Sequence, residues 1–263
     1  MVMENYEAAS RGDIDYMRGF KAHYEDPNFK HNLLIGSIHM LIPIVGPIVL
    51  MGWYCEIMQR LVRRHPNPIP KLDFNDFGFF LGRGVAPFLT ALVIVLPAMI
   101  VGNIIIFSLL FMLGIFAHHS GPDPMMTLIA SFLGMGVMAM IILPISTIAN
   151  AGVTQAELSE DFKQSTNFRG LLDYAGLTWQ KVLFGILVYI PISMIFVIAG
   201  MICCFVGIYP AVFLLNSSYV FLRWQIYEYA LAKGSPAIAV KAAQQLPSET
   251  VYTAPPSAPS PPA

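Results

Sequence analysis

Long apolar runs alternate with polar segments along this chain. Five runs stand out: Leu33–Ile57, Ala86–Phe116, Met125–Ala151, Val182 to about Val206, and a fifth that follows Gly207 and Pro210 and ends near Leu231. A transmembrane helix needs about 20 apolar residues, so each of the last four predicts a crossing. The second run would be about 46 Å long at a rise of 1.5 Å per residue. That exceeds a hydrocarbon core of about 30 Å, so this helix must tilt, bend at Pro97 or protrude. The first run carries a breaker cluster at its centre, Ile42-Pro43-Ile44-Val45-Gly46-Pro47. Two prolines four residues apart do not both fit an unstrained helix interior, because each removes a donor and crowds the preceding turn. The first run is therefore one sharply bent fifth span or two half-helices forming a re-entrant hairpin.

The polar lead-ins repeat. Asp73–Ile100 reads DFNDFGFFLGRGVAPFLTALVIVLPAMI, and Asn167–Met194 follows the same plan 94 residues later. Phe74 falls on Phe168, Gly82 on Gly176, Leu89 on Leu183 and Pro97 on Pro191, matches at the punctuating residues that an internal repeat preserves. Each copy predicts an interfacial lead-in followed by a proline-bent span, a parallel internal repeat. Leu158–Lys181 further predicts an in-plane amphipathic helix broken near Gly170, set on the membrane or docked on a soluble partner. Ala130 and Gly134 form a small-xxx-small pair suited to close helix packing.

The ends differ from the middle. Residues 1–12 read as disordered. Asp13 suits a helix N-cap, with Ile14, Met17, Phe20 and Tyr24 along one face of a short interfacial helix. The tail ends in APPSAPSPPA, a flexible, partly polyproline composition. The chain thus divides into a polar N-terminal segment (1–32), a helical transmembrane domain (33–231) and a Pro-rich flexible tail (232–263). The fold class is an all-α integral membrane protein with four crossing helices plus the proline-broken first helix.

Composition supports this. The chain is 56% hydrophobic and 12% charged, against about 25% charged in ordinary soluble domains. The net charge of −1 offers no field for nucleic acid. No Lys or Arg occurs from Gly84 to Phe162, whereas residues 58–85 carry Arg60, Arg63, Arg64, Lys71 and Arg83. Basic residues mark the cytoplasmic side, so that segment, residues 154–181 and the C-terminus face the cytoplasm. A re-entrant first run puts residues 1–32 there too; a crossing puts them outside. No cleavable signal peptide is expected, so the apolar runs act as insertion signals.

Candidate chemistry is sparse. There is no HExxH, P-loop, GxSxG or CxxC pattern. His118 and His119 with Asp123 are adjacent in a short loop and do not converge on a metal unaided, so neither a metal nor a cofactor is expected. The three cysteines suggest no disulfide framework. The polar residues within apolar runs are His39, Asn103, Asn150 and Asn216, the last followed by Ser217 and Ser218. They form a candidate intramembrane cluster, either converging on a substrate path or serving as interhelical hydrogen-bond glue. No mid-membrane Asp, Glu or Lys is expected. Arg223 is placed to snorkel, and Glu56 and Glu228 call for no special role. Trp53, Tyr54, Trp179, Trp224, Tyr227 and Tyr229 predict an interfacial aromatic belt.

One stretch carries a resemblance. LIPIVGPIVLMGWYCEIMQRLVRR, a Pro-rich turn and LDFNDFGFFLGRGV are similar to the prokaryotic membrane proteins grouped as domain of unknown function 4013. The likeness covers about residues 28–232. It is most specific at IPIVGP with Gly52 and Arg60, and at DFNDFG. It implies a multi-span helical protein of the cytoplasmic (inner) membrane and brings no established activity. The expectation is a non-enzymatic scaffold or accessory subunit of a membrane complex. Its partners would be the lipid bilayer and other membrane proteins, or further copies of itself. The alternative is a small-molecule or lipid transporter or channel, which shares the parallel repeat, broken helix and intramembrane polar set.

Overall fold

The computed structural model describes residues 2–120, 124–202 and 206–249; the side chains at 2–6 and over most of 109–131 fall outside that description. Among the described residues the secondary structure is helical. The order is α1 (Val2–Arg11), α2 (Arg18–Glu25), α3 (Phe29–Leu41), α4 (Val45–Val62), α5 (Phe77–Ser120), α6 (Pro124–Ser159), α7 (Phe162–Ser165), α8 (Phe168–Ile202) and α9 (Ile208–Ala232), with a 3-10 turn at Phe74–Asp76 leading into α5. Three helical stretches are long and apolar enough to cross a membrane: Phe74–Ile105, Phe132–Ser159 and Phe168–Ile202. α9 is not among them, because Asn216, Arg223 and Glu228 interrupt its apolar character.

The first run breaks where its prolines require. Ile42 precedes Pro43 and is extended, which ends α3, as expected for a residue before proline. Ile44 then adopts φ 64°, a strained value for a β-branched residue, and α4 starts at Val45. The two half-helices form a hairpin. Leu72 N–H donates to Asn32 Oδ1 at 2.8 Å and Asn32 Nδ2 to the Pro70 carbonyl at 3.3 Å, so the chain enters and leaves it on one side. α4 is buried over most of its circumference, its polar Glu56, Gln59 and Arg60 included, and Val49, Trp53, Cys55, Ile57 and Met58 are all fully buried.

Glycines set the register of α4 against α5. A Cβ on Gly52 would overlap the Phe80 carbonyl, and one on Gly84 the Ile48 carbonyl. The helices run antiparallel in van der Waals contact, which brings the start of α4 level with Pro87. The Ala130 side chain of the Ala130–Gly134 pair lies outside the described residues.

The chain divides into two zones. Around α4 gather the start of α5, the end of α6, the start of α8 and the second half of α9, in a buried core that includes Leu72, Phe80, Leu158, Leu171, Phe221 and Trp224. Beyond it, α5, α6 and α8 expose Val93, Met99, Ile104, Met140, Ile195 and Ile202. So much apolar surface in contiguous bands marks a membrane-facing region. We call the packed zone the head.

The termini dress the head. Residues 2–11 are helical, not disordered, and α2 begins at Arg18 rather than at Asp13; just ahead of it the Asp15 carboxylate accepts from the Met17 N–H at 3.0 Å in a local turn. Asp15 also exchanges two hydrogen bonds with the Gln225 side chain, at 2.8 and 3.0 Å, which fastens the N-terminal segment to α9. Residues 235–249 lie along the head, with Leu246 and Ile238 buried and Ser248 bonded through N–H and hydroxyl to Asp76. The last residues of the tail, from Thr250 onward, lie outside the described residues.

Two sequence expectations are corrected here. α8 runs unbroken through Gly170, so Leu158–Lys181 is no single in-plane helix; α6 ends at Ser159 and Leu158 and Leu171 are core residues. Trp53, Tyr54, Trp224 and Tyr227 are buried too, and only Trp179 of the foreseen belt is half exposed. Three of them find partners within the head: the Trp53 Nε1–H donates to the Pro70 carbonyl at 3.1 Å, the Trp224 Nε1–H to Glu228 at 3.2 Å, and the Tyr227 hydroxyl accepts from the Ile238 N–H at 3.2 Å.

Two outcomes follow for stability in detergent. Gly52→Ala and Gly84→Ala should each lower it by about 2–3 kcal/mol through overpacking against backbone, while Gly82→Ala, with open space around it, should have little effect; thermal unfolding checks this. The second concerns His23 on α2, which is 1% exposed and stacked near Trp53. Burial pulls its pKa down to about 4, against a smaller opposing hydrogen bond with the Ser217 backbone. The folded protein therefore resists protonating this ring. Its contribution is whole above an unfolded pKa of about 6.5 and is lost as pH falls towards 4, up to about 3 kcal/mol. Melting temperature should drop between pH 7 and pH 4.5, and drop less in His23→Phe.

Candidate functional site

Two polar assemblies meet where the head joins the apolar zone. The first is built on Arg83, just before the apolar run of α5. Its side chain is 6% exposed, and each donor has an acceptor. Nε donates to Glu160 Oε1 at 2.6 Å, Nη2 to Gln59 Oε1 at 2.8 Å, and Nη1 to Glu56 Oε2. Glu56 also accepts from Arg60 Nε at 2.6 Å, one helical turn along α4. Arg60 in turn reaches Glu249 at 2.8 Å, tying in the C-terminal segment. Gln59 Nε2 bonds Glu160 Oε1 at 2.9 Å and the Glu157 carbonyl at 2.9 Å. One buried guanidinium thereby holds α4, α5 and the end of α6.

The second assembly is a cavity of about 640 Å³ between α5, α6, α8 and α9. Asn103, Asn150 and Asn216 all line it. Three of the four polar residues singled out in the apolar runs thus converge on one space. The fourth does not: His39 is buried in the hairpin, stacked on Phe74 with ring centroids 5.1 Å apart, and its Nδ1 bonds the Ile35 carbonyl. Asn103 is also partly committed, since its Nδ2 donates to the Met99 carbonyl of its own helix at 2.7 Å.

The inner end of the cavity holds most of the polar groups. Asn150 Nδ2 donates to the Tyr219 hydroxyl at 3.1 Å. Tyr219 and Tyr189 meet edge to face at 5.2 Å. Arg223 also lines the cavity, stacked over the Tyr219 ring. Its guanidinium does not snorkel. It grips both oxygens of Glu157, Nε at 3.2 Å and Nη2 more closely, and Glu157 is 1% exposed. Glu157, in the polar segment that follows the third apolar run, is thus a buried acid at the head end of α6. Glu157 joins the two assemblies, with its carbonyl on Gln59 and its carboxylate on Arg223. Glu56 likewise has a central role that its sequence position did not suggest. Glu228 accepts from Trp224 Nε1 at 3.2 Å within the head.

Chemically, the cavity offers amides, phenols and apolar walls, with its cation neutralised. Among the described residues no three His, Cys, Asp or Glu side chains converge as a metal site. The side chains of His118 and His119, together with Asp123, lie outside the described residues, as do Cys203 and Cys204. Cys55 is buried and free.

The fold and its apolar helices define an all-helical protein of the membrane type. The family model described as protein of unknown function (DUF4013) matches residues 35–205, more than half of the chain, and the chain belongs to that family. No curated protein and no solved structure matches it. The matched region contains the hairpin from residue 35 onward, Arg83 and its partners Glu56, Gln59 and Glu160, and the α5, α6 and α8 walls of the cavity. It stops short of α9.

Replacing Arg83 by Gln should destabilise the protein by about 3–5 kcal/mol, since Glu160 and part of Glu56 would be left as uncompensated buried charge. Arg83→Lys should recover only part of that, because one ammonium cannot meet three acceptors with the geometry of a guanidinium. Unfolding in a denaturing-detergent titration measures both.

Proposed function

We propose that this is a non-catalytic membrane protein that takes a lipid-sized amphipathic molecule into the cavity between α5, α6, α8 and α9, as a small-molecule or lipid transporter would. The observation that carries this is the convergence of Asn103, Asn150 and Asn216 on one space, although they lie on three different helices. Polar residues at membrane depth are expensive and mark ligand paths, and a volume of about 640 Å³ falls within the range of about 300–1,000 Å³ usual for ligand sites. In this reading α9 is a fourth crossing helix, and α3–α4 is a re-entrant hairpin whose tip reaches the level of Pro87. The head, with both described ends of the chain, faces the cytoplasm at the inner membrane of a prokaryote. The hydrogen bonds between Asn32 and residues 70–72 and the basic residues around the head support that orientation.

A second reading, scaffold or accessory subunit, is favoured by the length of α5. Its 44 residues extend about 66 Å at 1.5 Å per residue, roughly twice the hydrocarbon core. A partner membrane protein, or a second copy of the chain, would cover what the bilayer does not.

Native mass spectrometry of the protein in polymer nanodiscs separates the two. The transport reading expects one retained molecule of lipid mass per chain, lost in Ala149→Trp, which fills the cavity, and reduced in the triple variant Asn103→Leu, Asn150→Leu, Asn216→Leu. An empty cavity together with stoichiometric partner proteins would replace it with the scaffold reading.

A further inference from the structure

We infer that the cavity takes a neutral amphiphile with a hydroxyl-bearing head, of the long-chain alcohol or acylglycerol class, with the head seated among Asn150, Tyr189 and Tyr219. This rests on the reading of the cavity as a ligand site and adds the chemistry of its occupant.

Unsatisfied polar atoms come first. Asn150 Oδ1 and the Tyr189 hydroxyl are buried and have no hydrogen-bond partner, and their residues are only 5% and 9% exposed. Both residues line the cavity. A buried polar atom without a partner is costly, and native structures seldom leave one so. Here two stand near one another, since Asn150 bonds Tyr219 and Tyr219 packs on Tyr189. Asn150 Oδ1 can only accept. A phenol can donate or accept. The complementary group must therefore donate to one and can accept from the other, which a hydroxyl does and an ester or ether oxygen does not.

Charge comes second. Arg223 is the cation at this end, and Glu157 already holds it through both oxygens. A carboxylate or phosphate head would have to draw Arg223 away, leaving Glu157 buried and uncompensated, and breaking a buried pair in that way is strongly unfavourable. The resting site is neutral and suits a neutral head. The walls come third. Further out, Met99, Met138, Ile142 and Ile190 line the cavity beside Asn103 and Asn216, a mainly apolar surface suited to an acyl or prenyl chain.

The test uses the full chain in nanodiscs and three probes with one hydrocarbon chain: monoolein, with a neutral hydroxylic head; methyl oleate, neutral and accepting only; and oleate, anionic. Binding is titrated by native mass spectrometry. One monoolein should bind per chain, about fivefold or more tighter than methyl oleate, the worth of one hydrogen bond. Tyr189→Phe, which removes only the hydroxyl, should weaken monoolein by a similar factor, and Asn150→Leu, which removes the group that only accepts, should abolish the preference for monoolein over methyl oleate. Oleate binding tightest would overturn the neutral head and leave the cavity as a ligand site. Monoolein binding equally well to wild type and Tyr189→Phe would also overturn it, water then serving these atoms. Binding of none of the three would sink the ligand site as well.

Discussion

Arg83 occupies the boundary on which the structure turns. It lies at the threshold of the apolar run of α5, where a guanidinium can neither reach bulk water nor be left unpaired. Taking such a charge out of water costs several kcal/mol, recovered only when geometry and hydrogen bonding are complete. Completion here requires Glu56 and Gln59 from α4 and Glu160 from the end of α6. The positive φ of Glu160 belongs to this arrangement: the chain leaves α6 there while its carboxylate turns back to Arg83. A planar fork fits three acceptors on two other helices. The network therefore fixes how those helices meet, a specifying role more than a stabilising one.

The cavity inherits its shape from that junction. Glu157 lies three residues before Glu160 on α6, and its backbone is held by Gln59. With the end of α6 so placed, its carboxylate meets Arg223 of α9, and one to two turns outward Asn150 meets Tyr219. The head is rigid and internally paired, whereas the apolar zone beyond it is built from long helices with few polar ties. A space opens between them because Tyr219 and Tyr189 hold α9 to α8 and Arg223 holds α9 to α6 through Glu157 at its head end, while α5 and α6 are held from the other side by Arg83.

The α3–α4 hairpin belongs to the same construction. Its glycines let α4 lie directly on α5 at Gly52 and Gly84, close enough for Glu56 to reach Arg83. A bulkier residue at either glycine would push α4 outward, and the ion network would lose its geometry. The family match covers most of the hairpin, the Arg83 partners and three of the four cavity walls. The N-terminal segment fastens to α9, also outside the match, through Asp15 with Gln225, and the C-terminal segment packs on the matched region through Arg60 with Glu249.

Much of this was legible before the fold. The long apolar runs announce membrane helices because hydrocarbon demands unbroken apolar length, a local property. The break at Ile42–Ile44 is legible because proline acts on its own turn and on the residue before it. Asn103, Asn150 and Asn216 stood out because an amide in an apolar run is costly wherever it points. Other features were hidden. Arg83 is separated from Glu56 by 27 residues and from Glu160 by 77, and Arg223 from Glu157 by 66. No periodicity links such partners, so Arg223 read as a snorkelling side chain and Glu56 as incidental. Trp53 and Tyr227 read as interfacial for the same reason: an aromatic residue near a helix end has one composition whether lipid head groups or other helices surround it. His39 read like the three asparagines, yet the hairpin turned it away. Chain chemistry of short range was enough to place the protein in a membrane and mark its breaks. Which charges are paired, and which amides share a cavity, rests on contacts between distant segments, and these exist only once the helices have packed.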